Sequence, residues 1–275
     1  MPPPGTGVLS FGLVAIPVRI HTATKSENVS FHLLHKKCGS RVRNQYHCSV
    51  CNVVVERDDL VRGFQHAKDQ YVQLTEEELD SLEAEANNNI DLKEFIPLES
   101  VDPVYFENTH YLGADKGGEK PYRLLADAMA KSGRVAIAEL VSRGKEQLVL
   151  IRPYRKGLVL HTMYYGDEVR DFNQVPKGNN VKVSEKELEL GVGLIDRLTS
   201  EEFTPENYKD EYRIRVLTML DEKSKGKEIV TGAAPAPKRG QVIDIMEALK
   251  RSMERVPAKK KPASTAAAKK KKTIS

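Results

Sequence analysis

The stretch Val8-Leu9-Ser10-Phe11-Gly12-Leu13-Val14-Ala15-Ile16-Pro17-Val18-Arg19-Ile20 constrains the fold more than any other part of the chain. Both of its alternating sets of positions are apolar, so a strand built from it has no face to offer water. It must be buried on two sides or rolled into a barrel. Pro17 has no amide donor and places the end of that strand near an edge or a bulge. Further strand-like runs follow at 71–74, 90–96, 104–111, 135–141, 147–152 and 158–165. Ser142-Arg143-Gly144-Lys145 and Tyr154-Arg155-Lys156-Gly157 join the last three by short turns, which predicts a meander of antiparallel hairpins.

Helices interrupt the strands with legible start signals. Thr75 and Glu78 stand at capping-box spacing, with Leu74 and Leu79 at the staple positions, which predicts a helix over 76–86. Ser184 and Glu187 repeat the box ahead of residues 188–198, and Thr204-Pro205 offers a cap with proline in the first turn of a second helix running to Glu222. Residues 231–240, TGAAPAPKRG, have linker composition. Beyond them Val242, Ile245, Met246, Leu249 and Met253 recur at helical spacing between Gln241 and Arg255, giving one apolar stripe on a short helix that Pro257 ends. That stripe fits two fates: packing on its own domain, or docking in another protein's groove.

Charge is unevenly divided. The net charge is +4, yet ten of the 43 basic residues and only one of the 39 acidic ones lie in 250–275, leaving 33 against 38 in the rest. A Lys-rich block with Ala, Pro, Ser and Thr repels itself, stays disordered and suits a polyanion. No stretch approaches 18 uninterrupted apolar residues, and Met1-Pro2-Pro3-Pro4-Gly5 has neither the basic nor the apolar part of a signal peptide. The expectation is a soluble, cytoplasmic protein with no membrane partner, its three cysteines reduced or metal-bound.

His35-Lys36-Lys37-Cys38, nine residues, then Cys48-Ser49-Val50-Cys51 is the strongest local motif. Two ligand pairs, each spaced by two residues and joined by a short basic hairpin, match a closed Cys3His zinc site that is structural rather than catalytic. His47 and His32 are alternative fourth ligands, and metal-free thiols or a redox-active Cys48/Cys51 pair are the competing readings. Lys36, Lys37, Arg41 and Arg43 surround the hairpin with Tyr46 and His47, a density that suits phosphate contacts as well as a solvated rim. Lys25, Arg143 and Lys145 are weaker candidates of the same kind.

Enzyme motifs are missing from the sequence. Gly113-Ala114-Asp115-Lys116-Gly117-Gly118-Glu119-Lys120 resembles a phosphate loop until Glu119 stands where Lys is required, and it reads as a hydrophilic turn. There is no His-Glu-x-x-His, no nucleophile elbow and no Gly-x-Gly-x-x-Gly. Gly191-Val192-Gly193 falls inside a predicted helix, where it permits close packing. The chain is therefore read as a non-enzyme.

Residues 7–18, the segment Leu33-Leu34-His35-Lys36-Lys37-Cys38, the stretch 71–79 and the Val101-Asp102-Pro103 junction closely resemble bacterial Ku, over about residues 7–256. The resemblance implies a mixed β/α fold: a Ku-type seven-stranded β-barrel core with a DNA-encircling bridge carrying the zinc-ribbon-like hairpin, then a helical dimerisation arm and the disordered basic tail. The implied organisation is 1–183 for the core with its bridge at about 25–70, 184–230 for the arm, 231–256 for linker and docking helix, and 257–275 for the tail. The implied activity is sequence-independent binding of double-stranded DNA ends by a homodimeric ring that protects them and recruits the ATP-dependent DNA ligase D for non-homologous end joining, in the cytoplasm at the nucleoid. Lys25, Lys36, Lys37, Arg41, Arg43, Arg143 and Lys145 would then face the duplex, joined by Lys259, Lys260, Lys261, Lys269, Lys270, Lys271 and Lys272 of the tail. Val242, Ile245, Met246, Leu249 and Met253 would meet the ligase. The zinc ligands His35, Cys38, Cys48 and Cys51 rest on their own spacing. A zinc-ribbon transcription regulator is the alternative, and a nuclease or phosphotransferase lacks the carboxylate cluster it would need.

Overall fold

The opening run makes a hairpin rather than one strand. Strand β1 (Gly5–Phe11) turns at Gly12, whose φ of +58° lies in the left-handed region where a side chain is disfavoured, and returns as β2 (Val14–Thr22). Leu9, Ile16 and Val18 are buried, whereas Leu13 at the tip is fully exposed and Phe11 and Val14 are partly so. One face of the hairpin is therefore covered, not two. Pro17 lies inside β2 opposite Val8, at the level where the neighbouring strand ends, so its missing donor breaks no ladder there and the strand runs on.

The computed structural model describes residues 5–82, 89–142, 145–178, 180–226 and 245–255. After β2 the chain leaves the sheet and forms two small hairpins, β3 (Tyr46–Cys48) with β4 (Val53–Val55) and β5 (Arg62–Ala67) with β6 (Gln70–Leu74), then α1 (Glu76–Leu82). The box that starts α1 is formed as expected: Glu78 N–H donates to Thr75 Oγ1 at 3.2 Å, and Thr75 N–H donates to Glu78 Oε2 at 2.9 Å. The remainder of that predicted helix lies outside the described residues.

The chain re-enters the sheet at β7 (Asn89–Pro97) and continues through β8 (Phe106–Ala114), α2 (Glu119–Ser132), β9 (Arg134–Ser142), β10 (Lys145–Tyr154) and β11 (Gly157–Met163). These strands close a seven-stranded barrel in the order β1-β2-β8-β11-β10-β9-β7, sealed by a parallel β1–β7 pairing. The antiparallel β9-β10-β11 meander is as expected. Leu9, Val18, Ile90, Leu112, Leu140, Val149, Ile151, Leu158 and Leu160 share the main core with Ala136 and Ala138, the small residues taking up space the large ones leave. Each fully buried Leu, Ile or Val contributes about 1.5–3 kcal/mol.

The turn read at 113–120 is formed at 115–118, between the end of β8 and helix α2, which the sequence reading did not include. Tyr122, Leu125, Ala126 and Met129 form its buried stripe, and Gly133, φ +65°, ends it. Gly118 admits no side chain: a Cβ there would stand 2.6 Å from Pro17 O. Tyr122 fastens the helix to the barrel, its hydroxyl donating to Leu112 O at 2.5 Å and accepting from Leu158 N–H at 2.9 Å. The strand expected from 104 begins at Phe106, because Asp102 caps a short 3-10 turn at Pro103–Tyr105.

Two compact units part after Phe172. The second holds α3 (Glu185–Leu198), α4 (Glu211–Ser224) and α5 (Ile245–Arg255). The box at Ser184 and Glu187 is formed. Thr204-Pro205 opens only a 3-10 turn, Pro205–Asn207, and α4 starts instead where Asp210 Oδ1 accepts from Arg213 N–H at 2.9 Å. Val216 is buried, while Leu188, Ile195, Leu198 and Tyr212 are exposed. Val242, the linker at 231–240 and the tail lie outside the described residues. Among those described, no helix is long and apolar enough to cross a membrane.

Candidate nucleic-acid interface

Among the described residues, the excursion between β2 and β7 carries most of those read as functional. It has little core of its own: Phe31, Leu33, Tyr46, Val50, Phe64 and Tyr71 are all exposed. Backbone hydrogen bonds shape it instead. Val42 N–H donates to Leu33 O at 3.1 Å, and the loop between them is closed by His35 N–H on Ser40 O and Gly39 N–H on His35 O, both at 2.8 Å. Phe31, His32, Leu33, Arg41, Val42, Arg43 and Asn44 thereby line a cleft of about 630 Å³. Cations, amides and an exposed aromatic in one cleft can meet phosphate oxygens and sugar without reading base edges.

Lys36, Lys37, Arg41 and Arg43 are exposed, and none has an ion-pair partner among the described residues. Lys25 differs, since Glu27 pairs with it. Lys145 opens β10 opposite Ser142. Arg143, Lys259, Lys260, Lys261, Lys269, Lys270, Lys271 and Lys272 lie outside the described residues.

The tight loops also set the metal-ligating side chains in pairs. His35 Nδ1 stands 3.0 Å from Cys38 Sγ, and Cys51 N–H donates to Cys48 Sγ at 3.4 Å across a turn in which Asn52 takes φ +55°. Hydrogen bonds from the Ser40 hydroxyl and backbone, and then from His35, lower the Cys38 thiol to about 7. The Cys51 and Val50 backbone amides lower Cys48, whose hydrogen bond and charge raise Cys51. Three sulfurs and an imidazole suit zinc in kind. The structure forms the two pairs without drawing them into one site: among the described residues, no group of three or more His, Cys, Asp or Glu is placed to hold a metal ion.

A second cationic surface, missed in the sequence, lies on the barrel at the β10–β11 turn. The Arg152 and Arg155 guanidinium carbons lie 5.2 and 5.3 Å from the Tyr154 ring centroid, and Tyr111 stacks on the same ring at 6.3 Å. His161 positions Arg152, accepting its Nε–H on Nε2 at 2.8 Å, which leaves the ring proton on Nδ1, 3.0 Å from Thr109 Oγ1. Burial first, then the Arg152 and His110 charges, lower His161 to about 4, so the ring stays neutral and able to accept at neutral pH. The signal available was Arg152-Pro153-Tyr154-Arg155-Lys156, basic and aromatic residues interleaved at a turn.

Comparison with known proteins places this architecture. The family model described as "Ku70/Ku80 beta-barrel domain" matches residues 10–190. Three relatives are each described as "Non-homologous end joining protein Ku". That of Heliobacterium modesticaldum is 41% identical over 93% of this chain and 92% of its own length. The Paraburkholderia phymatum protein is 42% identical over 93% and 83%, and the Bacillus subtilis protein 35% identical over 95% and 85%. A closed seven-stranded barrel with a cation-bearing excursion, a matching family model and relatives aligned along nearly the whole chain make this protein a member of the Ku family.

Proposed function

We propose that this chain binds the ends of double-stranded DNA without regard to sequence and acts in non-homologous end joining, as a homodimeric ring that recruits an ATP-dependent ligase D and carries no catalytic step of its own. The observation that carries this reading is the excursion between β2 and β7, where Lys36, Lys37, Arg41 and Arg43 have no ion-pair partner among the described residues and stand beside an open cleft. Cations that spend no charge on internal ion pairs are available to phosphates, and each phosphate neutralised releases condensed counterions. The names of the aligned relatives support the same process. Dimerisation is supported by apolar surface that one copy leaves bare, on the excursion at Phe31, Leu33 and Phe64 and on α3 at Leu188, Ile195 and Leu198.

His35, Cys38, Cys48 and Cys51 would hold one zinc ion, which supplies a structural crosslink between the two loops; four protein ligands leave no open position for water. Lys145 and Arg143 at the β9–β10 turn, and the tail lysines, would add phosphate contacts. A gel-shift comparison of linear, hairpin-capped and circular duplexes of one sequence tests the reading, with the protein's mass measured alongside. Binding that needs a free end, by a species of twice the chain mass, is expected. A monomer that takes circular DNA as readily as linear would refute it.

A further inference from the structure

The apolar stripe of α5, which the resemblance drawn from the sequence assigns to docking the ligase of the proposed function, is already in use. Met246, Leu249 and Met253 are half-buried, and α5 packs on α3. The contact is shaped at two points. Gly193 faces the end of Met253: a Cβ there would sit in ordinary contact with the Met253 methyl carbon at 3.5 Å, so a side chain reaching further would take the methyl's space. Arg197 Nη1 donates to Met253 O at 2.5 Å. Met253 lies in the last turn of α5, where the final four carbonyls have no partner within the helix, and a cation at that end also meets the negative pole of the helix dipole. Ile245, at the other end, stays exposed.

We infer that α3 is the resting seat of α5, and that a partner docking on α5 must first lift it from the Gly193 and Arg197 contacts. The docking half of this inference rests on the function proposed above; the seat rests on the packing alone. One apolar stripe cannot be covered twice, so the two contacts exclude each other. Apparent affinity for the partner is then reduced by the fraction of chains with α5 seated. Among the described residues of the stripe, Ile245 is the part a partner can reach before the exchange, and lifting α5 bares the Gly193 face of α3.

Gly193→Gln in the full-length protein tests this, because glutamine favours helix more than glycine and leaves α3 intact while filling the space of the Met253 methyl. Arg197→Ala removes the second contact without touching the stripe. Two measurements are made: amide hydrogen exchange of residues 246–255 in the protein alone, and calorimetric affinity for purified ligase D. Both variants are expected to speed exchange in α5 and to tighten ligase binding roughly three- to tenfold. Unchanged exchange would overturn the seat. Faster exchange with unchanged or weaker ligase binding would overturn the competition. Faster exchange with no ligase binding by any of the three proteins would leave the seat standing and overturn the docking role of α5.

Discussion

Replacing Lys36, Lys37, Arg41 and Arg43 together with glutamine removes four cations that make no ion pair among the described residues. None of the four is buried, so the melting temperature should hardly change and any effect on DNA binding is an effect on contacts. If all four meet phosphates, the slope of log affinity against log salt becomes shallower by about 3.6, at roughly 0.9 per phosphate on duplex DNA. Between 50 and 200 mM salt the unaltered protein then loses about 150-fold more affinity than the variant, and with both arms of a dimer engaged the slope difference rises to about 7. Fluorescence anisotropy on a short blunt duplex across that salt range measures it. Parallel lines for the two proteins, displaced or not, would refute the placing of these residues on phosphates.

Tyr122→Phe strands the Leu112 carbonyl and the Leu158 amide in a buried setting, which costs about 1–3 kcal/mol and lowers the melting temperature by roughly 2–4 °C per kcal/mol in a unit of this size; an unchanged thermogram would refute the bolt. The His161 imidazole has its pKa lowered to about 4 in the fold against about 6.5 unfolded, so the unfolded chain binds the proton first and stability is lost as pH falls from about 6.5 towards 4. That loss is on the order of 2–3 kcal/mol, and urea melts of His161→Gln should show a flatter pH dependence over the same window; identical profiles would count against it. Metal analysis of protein purified under reducing conditions without chelator should give about one zinc per chain, and none would reject the proposed site. Removing residues 257–275 should reduce affinity and salt slope for DNA while leaving the dimer mass unaltered; an unaltered slope would remove the tail from the interface.

Much of the barrel was legible because its signals are local. Strand-like apolar runs joined by short turns marked β9, β10 and β11, and the Ser/Thr-x-x-Glu boxes marked α1 and α3, since both patterns depend on neighbours within a few residues. Helix α2 was hidden by the glycines before it, although Tyr122, Leu125, Ala126 and Met129 stand at helical spacing. At Thr204 the competing Asp210 cap won. In the candidate interface, Lys36, Lys37, Arg41 and Arg43 were evident from their density. Arg152 was not, because the run 152–156 that carries it also reads as an ordinary hairpin turn, and the His161 that positions Arg152 and the Tyr111 that stacks on Tyr154 come from two other strands.

The amino-acid order alone determined the strand runs, the capped helix starts, the two pairs of metal-ligating residues and the separation of a basic tail from an acidic remainder, because each is a matter of spacing along the chain. Only the tertiary structure decided that the apolar opening run folds back at Gly12 and closes a barrel through a parallel β1–β7 pairing, that Gly118 must yield to Pro17, and that α5 rests on Gly193 and Arg197 of α3. Those contacts join residues tens of positions or more apart, apart from the turn at Gly12. Nothing in local propensity specifies them until the burial of apolar surface brings their strands and helices together.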